Sequence, residues 1–122
     1  MKKASVVAAS LVFLMLTVSV QADDRGISPA EHAKIEQLIT IVEHLTSAHF
    51  VRNGRAYGAS TAARFLRDKW KDRERSVHSA EDFINNVATR SSTTGLPYRI
   101  RFDDGREMTT AEFFRAELAK LK

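Results

Sequence analysis

Pro97-Tyr98-Arg99-Ile100-Arg101-Phe102-Asp103-Asp104-Gly105-Arg106-Glu107-Met108 decides the fold class. Apolar side chains at Tyr98, Ile100 and Phe102 alternate with Arg99 and Arg101, the period-two pattern of a half-buried strand. Asp104-Gly105 is a tight-turn dipeptide, so Arg106 to Met108 is expected to return as a short partner strand. An isolated hairpin is marginal in water, and its Tyr98-Ile100-Phe102 face must therefore pack on helices. The chain around it supplies them. The stretch thus separates a helix-dominated α+β fold from an all-helical one.

Working outward, Thr109 or Thr110 caps a last helix containing Phe113, Phe114, Leu118 and Leu121. Upstream, Ser79-Ala80-Glu81-Asp82 caps a helix whose inward face is Ala80, Phe83, Ile84, Val87 and Ala88, ending near Arg90. The polar run Ser91-Ser92-Thr93-Thr94-Gly95 follows as a loop. A further helix starts between Gly58 and Ser60 and runs to Arg73, with Ala59, Ala62, Ala63, Leu66 and Trp70 on its apolar face. Arg64, Arg67, Lys71 and Arg75 fall on a separate stripe. Asn53-Gly54 breaks the pattern before it, because both residues tolerate positive φ.

The first helix opens on Ser28-Pro29-Ala30-Glu31, which combines an N-cap, a proline at the first helical position and a capping-box glutamate. Ile35, Leu38, Ile39, Val42 and Leu45 carry its apolar face, and the spacing predicts a helix from 29 to 48. The expected architecture is α+β and helix-dominated, about four helices packed with one short β-hairpin. The large aromatics, including Phe65, Trp70 and Phe83, are assigned to the core, each worth about 1.5–3 kcal/mol on burial.

The first 22 residues read differently. Lys2 and Lys3 precede an uncharged run from Ala4 to Val20, and Val20-Gln21-Ala22 offers small or modest side chains before Asp23 and Asp24. That is the three-part plan of a secretory signal, with cleavage expected after Ala22 and a single domain over 23–122. The apolar run would span roughly 25 Å as a helix, short of the ~30 Å hydrocarbon core, which argues against stable membrane insertion. The chain has no cysteine, so the exported body is held by packing alone, and thiol nucleophiles, redox pairs and thiolate metal sites are excluded.

Charge is unevenly distributed. Residues 23–51 carry two basic and five acidic groups, 52–75 carry eight basic and three acidic, and 76–122 balance at seven each. The basic stripe can meet an acidic surface or form a salt-bridged, solvated helix face, Arg64 and Asp68 being one i,i+4 pair. No nucleic-acid-binding motif accompanies it. Of the four histidines, His44 and His49 are five apart and, on one helix, cannot share an ion, so neither a metal nor another cofactor is expected. There is no Gly-x-Ser-x-Gly elbow. Glu81, Asp82, Asp103 and Asp104 are the carboxylates from which a glycosidase-type pair would be drawn, and nothing marks two of them as sharing a cleft.

Phe50-Val51-Arg52-Asn53-Gly54, Tyr57, Leu66-Arg67-Asp68-Lys69, Ala80-Glu81-Asp82-Phe83-Ile84 and Ser91-Ser92-Thr93-Thr94-Gly95-Leu96-Pro97-Tyr98 together resemble the small exported YfeK-like proteins of Gram-negative bacteria. The likeness covers roughly residues 29–102 and weakens from Asp103 onward. It implies a periplasmic protein of unknown function and brings no activity, cofactor or catalytic residue with it. It directs attention to the two loops. Arg52 offers a planar guanidinium to carboxylate or phosphate, and Asn53 offers donors and acceptors beside Gly54. Ser91 and Ser92 place hydroxyls near Gly95. If the loops meet, together with Tyr57, Tyr98 and the stripe residue Arg67, they make a polar recess for an anionic ligand or glycan. The alternative is turn chemistry throughout, with Arg52 paired to Glu43 or Asp82. The expected function is a non-catalytic binding or interaction module for an anionic ligand, a glycan or an envelope protein. A small hydrolase or lyase acting on envelope glycans and a structural accessory subunit of an envelope complex are the alternatives.

Overall fold

The computed structural model describes residues 26–121. The expected signal peptide, Met1 to Ala22, lies outside the described residues. Helix α1 covers Pro29–Glu43, strand β1 Ala48–Arg52, β2 Arg55–Tyr57, α2 Ala59–Asp72, α3 Ala80–Asn86, β3 Arg99–Phe102, β4 Glu107–Thr109 and α4 Thr110–Lys120. A 3-10 turn, Glu74–Ser76, follows α2. Among the described residues no helix is long and apolar enough to cross a membrane.

The helix-rich α+β class holds, and the β part is larger than the one hairpin that the sequence pattern predicts. Two hairpins join edge to edge into a four-stranded antiparallel sheet of order β2-β1-β3-β4. The first helix stops at Glu43 and does not reach residue 48, and Ala48 to Arg52 instead become a central strand. Its period is visible in burial: Ala48 inside, His49 outside, Phe50 inside. Asn53 (φ 53°) and Gly54 (φ 79°) both lie in the left-handed region, the requirement of a two-residue turn whose twist matches paired strands. Asn53-Gly54 therefore closes a hairpin where it was expected to separate helices. His44 caps α1 while His49 sits on β1, so the two share no helix.

Register aligns one sheet face with the core. Phe50 is opposite both Ile100 and Tyr57, Ala48 is opposite Phe102, and Ile100 is opposite Met108. That face meets a cluster built from Ile35, Leu38, Ile39 and Val42 of α1, Ala62, Ala63 and Leu66 of α2, Phe83 and Ile84 of α3, and Phe113 and Phe114 of α4. The alanines at 62 and 63 let α1 and α2 pack closely, and these two helices form the main helix–helix contact. On the opposite sheet face, Glu107 accepts from Arg99 (3.0 Å) and Arg101 (3.1 Å).

Helix α3 has only seven residues and depends on its caps. Ser79 Oγ accepts the Asp82 amide (3.0 Å), and Asp82 accepts the His78 amide (2.9 Å). The Ala80 amide donates to Glu31 of α1 (2.8 Å), so a carboxylate expected to serve its own helix caps another one instead. Helix α4 begins with a complete capping box, in which Thr109 and Glu112 each accept the other's amide at 3.1 Å.

Candidate functional site

The two polar loops do meet. The Thr94 hydroxyl donates to Asn53 Oδ1 (2.6 Å), joining the β1–β2 turn to the segment between α3 and β3. That segment is a closed structure. Arg90 pairs with Pro97, the Ser91 amide donates to the Leu96 carbonyl (2.9 Å), and the Gly95 amide donates to the Ser91 carbonyl (3.0 Å). Gly95 has φ 77°, a conformation that a Cβ would strain. Ser91 is buried, and its Oγ accepts from the Thr93 (3.2 Å) and Thr94 (3.4 Å) amides. The hydroxyl in this position stands in for a missing backbone partner.

Helix α2 pins this segment with two cations. Lys69 Nζ donates to the Arg90 carbonyl (2.7 Å) and to the Tyr98 hydroxyl (3.1 Å), lying 4.8 Å from the centre of the Tyr98 ring. Arg73 donates to Ser92 Oγ (2.8 Å). Tyr98 is buried, with its ring against Phe50. Arg52 pairs with neither Glu43 nor Asp82. Its guanidinium sits 4.6 Å over the Phe65 ring, which Tyr57 meets edge-on at 5.0 Å. Of the nine residues singled out in the sequence, Arg52, Asn53, Gly54, Tyr57, Ser91, Ser92, Gly95 and Tyr98 thus gather around one junction, their polar groups largely engaged with one another or with α2. Their outward product is Leu96, 53% exposed and the one exposed large hydrophobic among the described residues.

Arg67 lies elsewhere. It reaches Glu36 (3.3 Å) and Glu43 (3.7 Å) of α1, at the edge of a recess of about 790 Å³. Gly26, Ile27, His32, Trp70, Lys71, Glu74, Arg75, Val77 and His78 complete its wall. The basic stripe was legible at 67, 71 and 75. The recess was not, because Trp70 fits the apolar face of α2 equally well as a core residue. The structure leaves it half-buried, with Phe83 at 5.8 Å and His32 at 5.0 Å between ring centres.

Acid–base chemistry finds little support in the carboxylates. The Ala80 amide, and after it Lys34, holds the Glu31 carboxyl below the usual range. Arg106, through its amide first, does the same for Asp104, Arg99 and then Arg101 for Glu107, and the Thr109 amide for Glu112. All four shifts favour the ionised form, opposite to what a general acid needs. Glu81 faces Arg115 (3.6 Å) and Asp82 caps α3, while Asp103 and Asp104 lie at the β3–β4 turn, so these carboxylates belong to two separate places. Among the described residues, no three of His, Cys, Asp or Glu gather where a metal ion could be held.

The fold and its surface define a class: a small, cysteine-free α+β domain with an ordered loop junction and a recess lined by charges of both signs, both bordered by α2. The family model for DUF5329, a family of unknown function, matches residues 29–122, and the chain belongs to that family. It is 33% identical over 92 residues to the uncharacterized protein YfeK of Salmonella typhimurium, covering 75% of this chain and 74% of that protein. No solved structure matches the chain.

Proposed function

We propose that this chain is an exported, non-catalytic interaction module that works in the periplasm and presents the joined loops to an envelope protein partner. The observation that carries the reading is the use the loops make of their polar groups. Asn53, Ser91, Ser92 and Tyr98 are bonded within the fold, so a small anion arriving there would have to displace existing hydrogen bonds. What the network holds outward is Leu96, on a segment whose backbone is already closed. An apolar side chain fixed on an ordered loop loses little entropy on docking, which favours a protein partner over a free ion. Arg90 at the base of the segment and Arg73 on Ser92 flank it with positive charge, so the complementary partner surface is an apolar pocket with an acidic rim.

The test is crosslinking in intact cells that express a tagged chain. One discrete adduct is expected, lost in Leu96→Asp while the far-ultraviolet circular dichroism and melting temperature of the purified variant stay unchanged. An adduct pattern identical in both chains would contradict the reading. Tyr98 is not a usable probe, because it is buried and its loss would act through folding.

A further inference from the structure

We propose that the recess beside Trp70 binds an anionic sugar, a pyranose that carries a phosphate or a carboxylate. The site is separate from the loop junction. Arg67 and Lys71 project from α2 about 200° around the helix axis from Lys69 and Arg73, and the two pairs flank the buried face of α2 on its two sides. The recess is walled by α1 through His32 and Glu36, by α2 through Arg67, Trp70 and Lys71, and by the 3-10 turn through Glu74 and Arg75.

Its groups divide by what they can offer. Arg67 is already held by Glu36 and Glu43. Lys71 and Arg75 are exposed and take part in no ion pair among the described residues, which makes them the two cations of the wall suited to an incoming anion. Trp70 packs against Phe83 at 72° and against His32 at 44° between ring planes, and its remaining half-exposed surface lines the recess. An indole fixed in that way presents an electron-rich surface to the slightly positive C–H groups on the apolar face of a pyranose. Glu36 and Glu74 are acceptors for its hydroxyls. Size completes the case: about 790 Å³ lies inside the range of roughly 300–1,000 Å³ used for small molecules, and an inorganic anion alone would leave most of it filled with water.

Trp70 is the only tryptophan in the chain, so intrinsic fluorescence reports on this recess without a label. The chain as recovered from cells is titrated at low ionic strength with glucose 6-phosphate, glucuronate, glucose and inorganic phosphate. At least one anionic sugar is expected to give a saturable change in the micromolar to low-millimolar range, about tenfold or more tighter than glucose or phosphate. The phosphate and carboxylate arms identify which anion the site prefers. The double variant Lys71→Ala/Arg75→Ala is expected to weaken that response about tenfold or more without moving the melting temperature. A response to phosphate equal to that of the sugars would overturn the sugar assignment. No saturable change with either anionic sugar, or an unaltered response in the double variant, would overturn the site.

Discussion

Helix α2 and the turn that follows it carry basic residues on either side of the helix's buried face, and the fold uses them differently. Lys69 and Arg73 are spent: one is bonded to a carbonyl and a tyrosine hydroxyl, the other to a serine, and both hold the segment from Arg90 to Tyr98 in place. On the other side Arg67 is held by Glu36 and Glu43, whereas Lys71 and, on the 3-10 turn, Arg75 take part in no ion pair among the described residues and line the recess beside Trp70. The residue types are nearly the same on the two sides, so composition alone does not separate structural cations from available ones. What separates them is whether a carbonyl or hydroxyl from another part of the chain arrives to meet them.

That contrast can be broken most strongly on its structural side. Tyr98→Ala removes a buried ring from between β1 and α2, and a loss of about 3–5 kcal/mol is expected in urea unfolding. Gly54→Ala acts on the turn: with φ at 79° and open space around its Cα, only backbone strain opposes the new methyl, and about 1 kcal/mol of stability is expected to be lost.

The pH dependence sharpens the comparison at a third point, because the α1–α3 cap is also a spent group. Glu31 is held below its ordinary value of 4.5 by the Ala80 amide and Lys34. Its contribution is therefore complete above that value and is lost as pH falls through the lower, folded-state value. Glu31→Gln is expected to cost about 1 kcal/mol at neutrality and to flatten the acid limb of the stability profile, read as the urea midpoint against pH. The smallest effect is the junction bond itself. A double-mutant cycle on Asn53→Ala and Thr94→Ala is expected to show a coupling of about 0.5–1 kcal/mol, since the pair is exposed but directly bonded.

Much of this was legible in the sequence, and the failures have physical causes. The helix caps at Ser28, Ser79 and Thr109 and the alternating strand at 99–102 follow from local rules, and all of them form. The β1–β2 hairpin was legible too. Asn-Gly between Phe50-Val51 and Tyr57 is a strong hairpin signal, but the apolar run of α1 leads into Leu45 and Phe50 at helical spacing and masks the change of period. That the two loops meet depends on β1 pairing with β3, a contact between residues some fifty apart that no local pattern encodes. The recess depends on the same long-range assembly, because His32, Trp70 and His78 come from three segments. Glu31 as the cap of α3 has no sequence signature at all.

The difference between the cations that hold the loop segment and the two that line the recess is tested most directly by unfolding two variants side by side in urea. Ser91→Ala leaves two amides without their acceptor in the segment that Lys69 and Arg73 hold, and is expected to lose about 1–3 kcal/mol. Lys71→Ala/Arg75→Ala removes two exposed cations and is expected to stay within about 0.5 kcal/mol of the parent chain. Equal losses, or a recess variant less stable than the loop variant, would contradict the account.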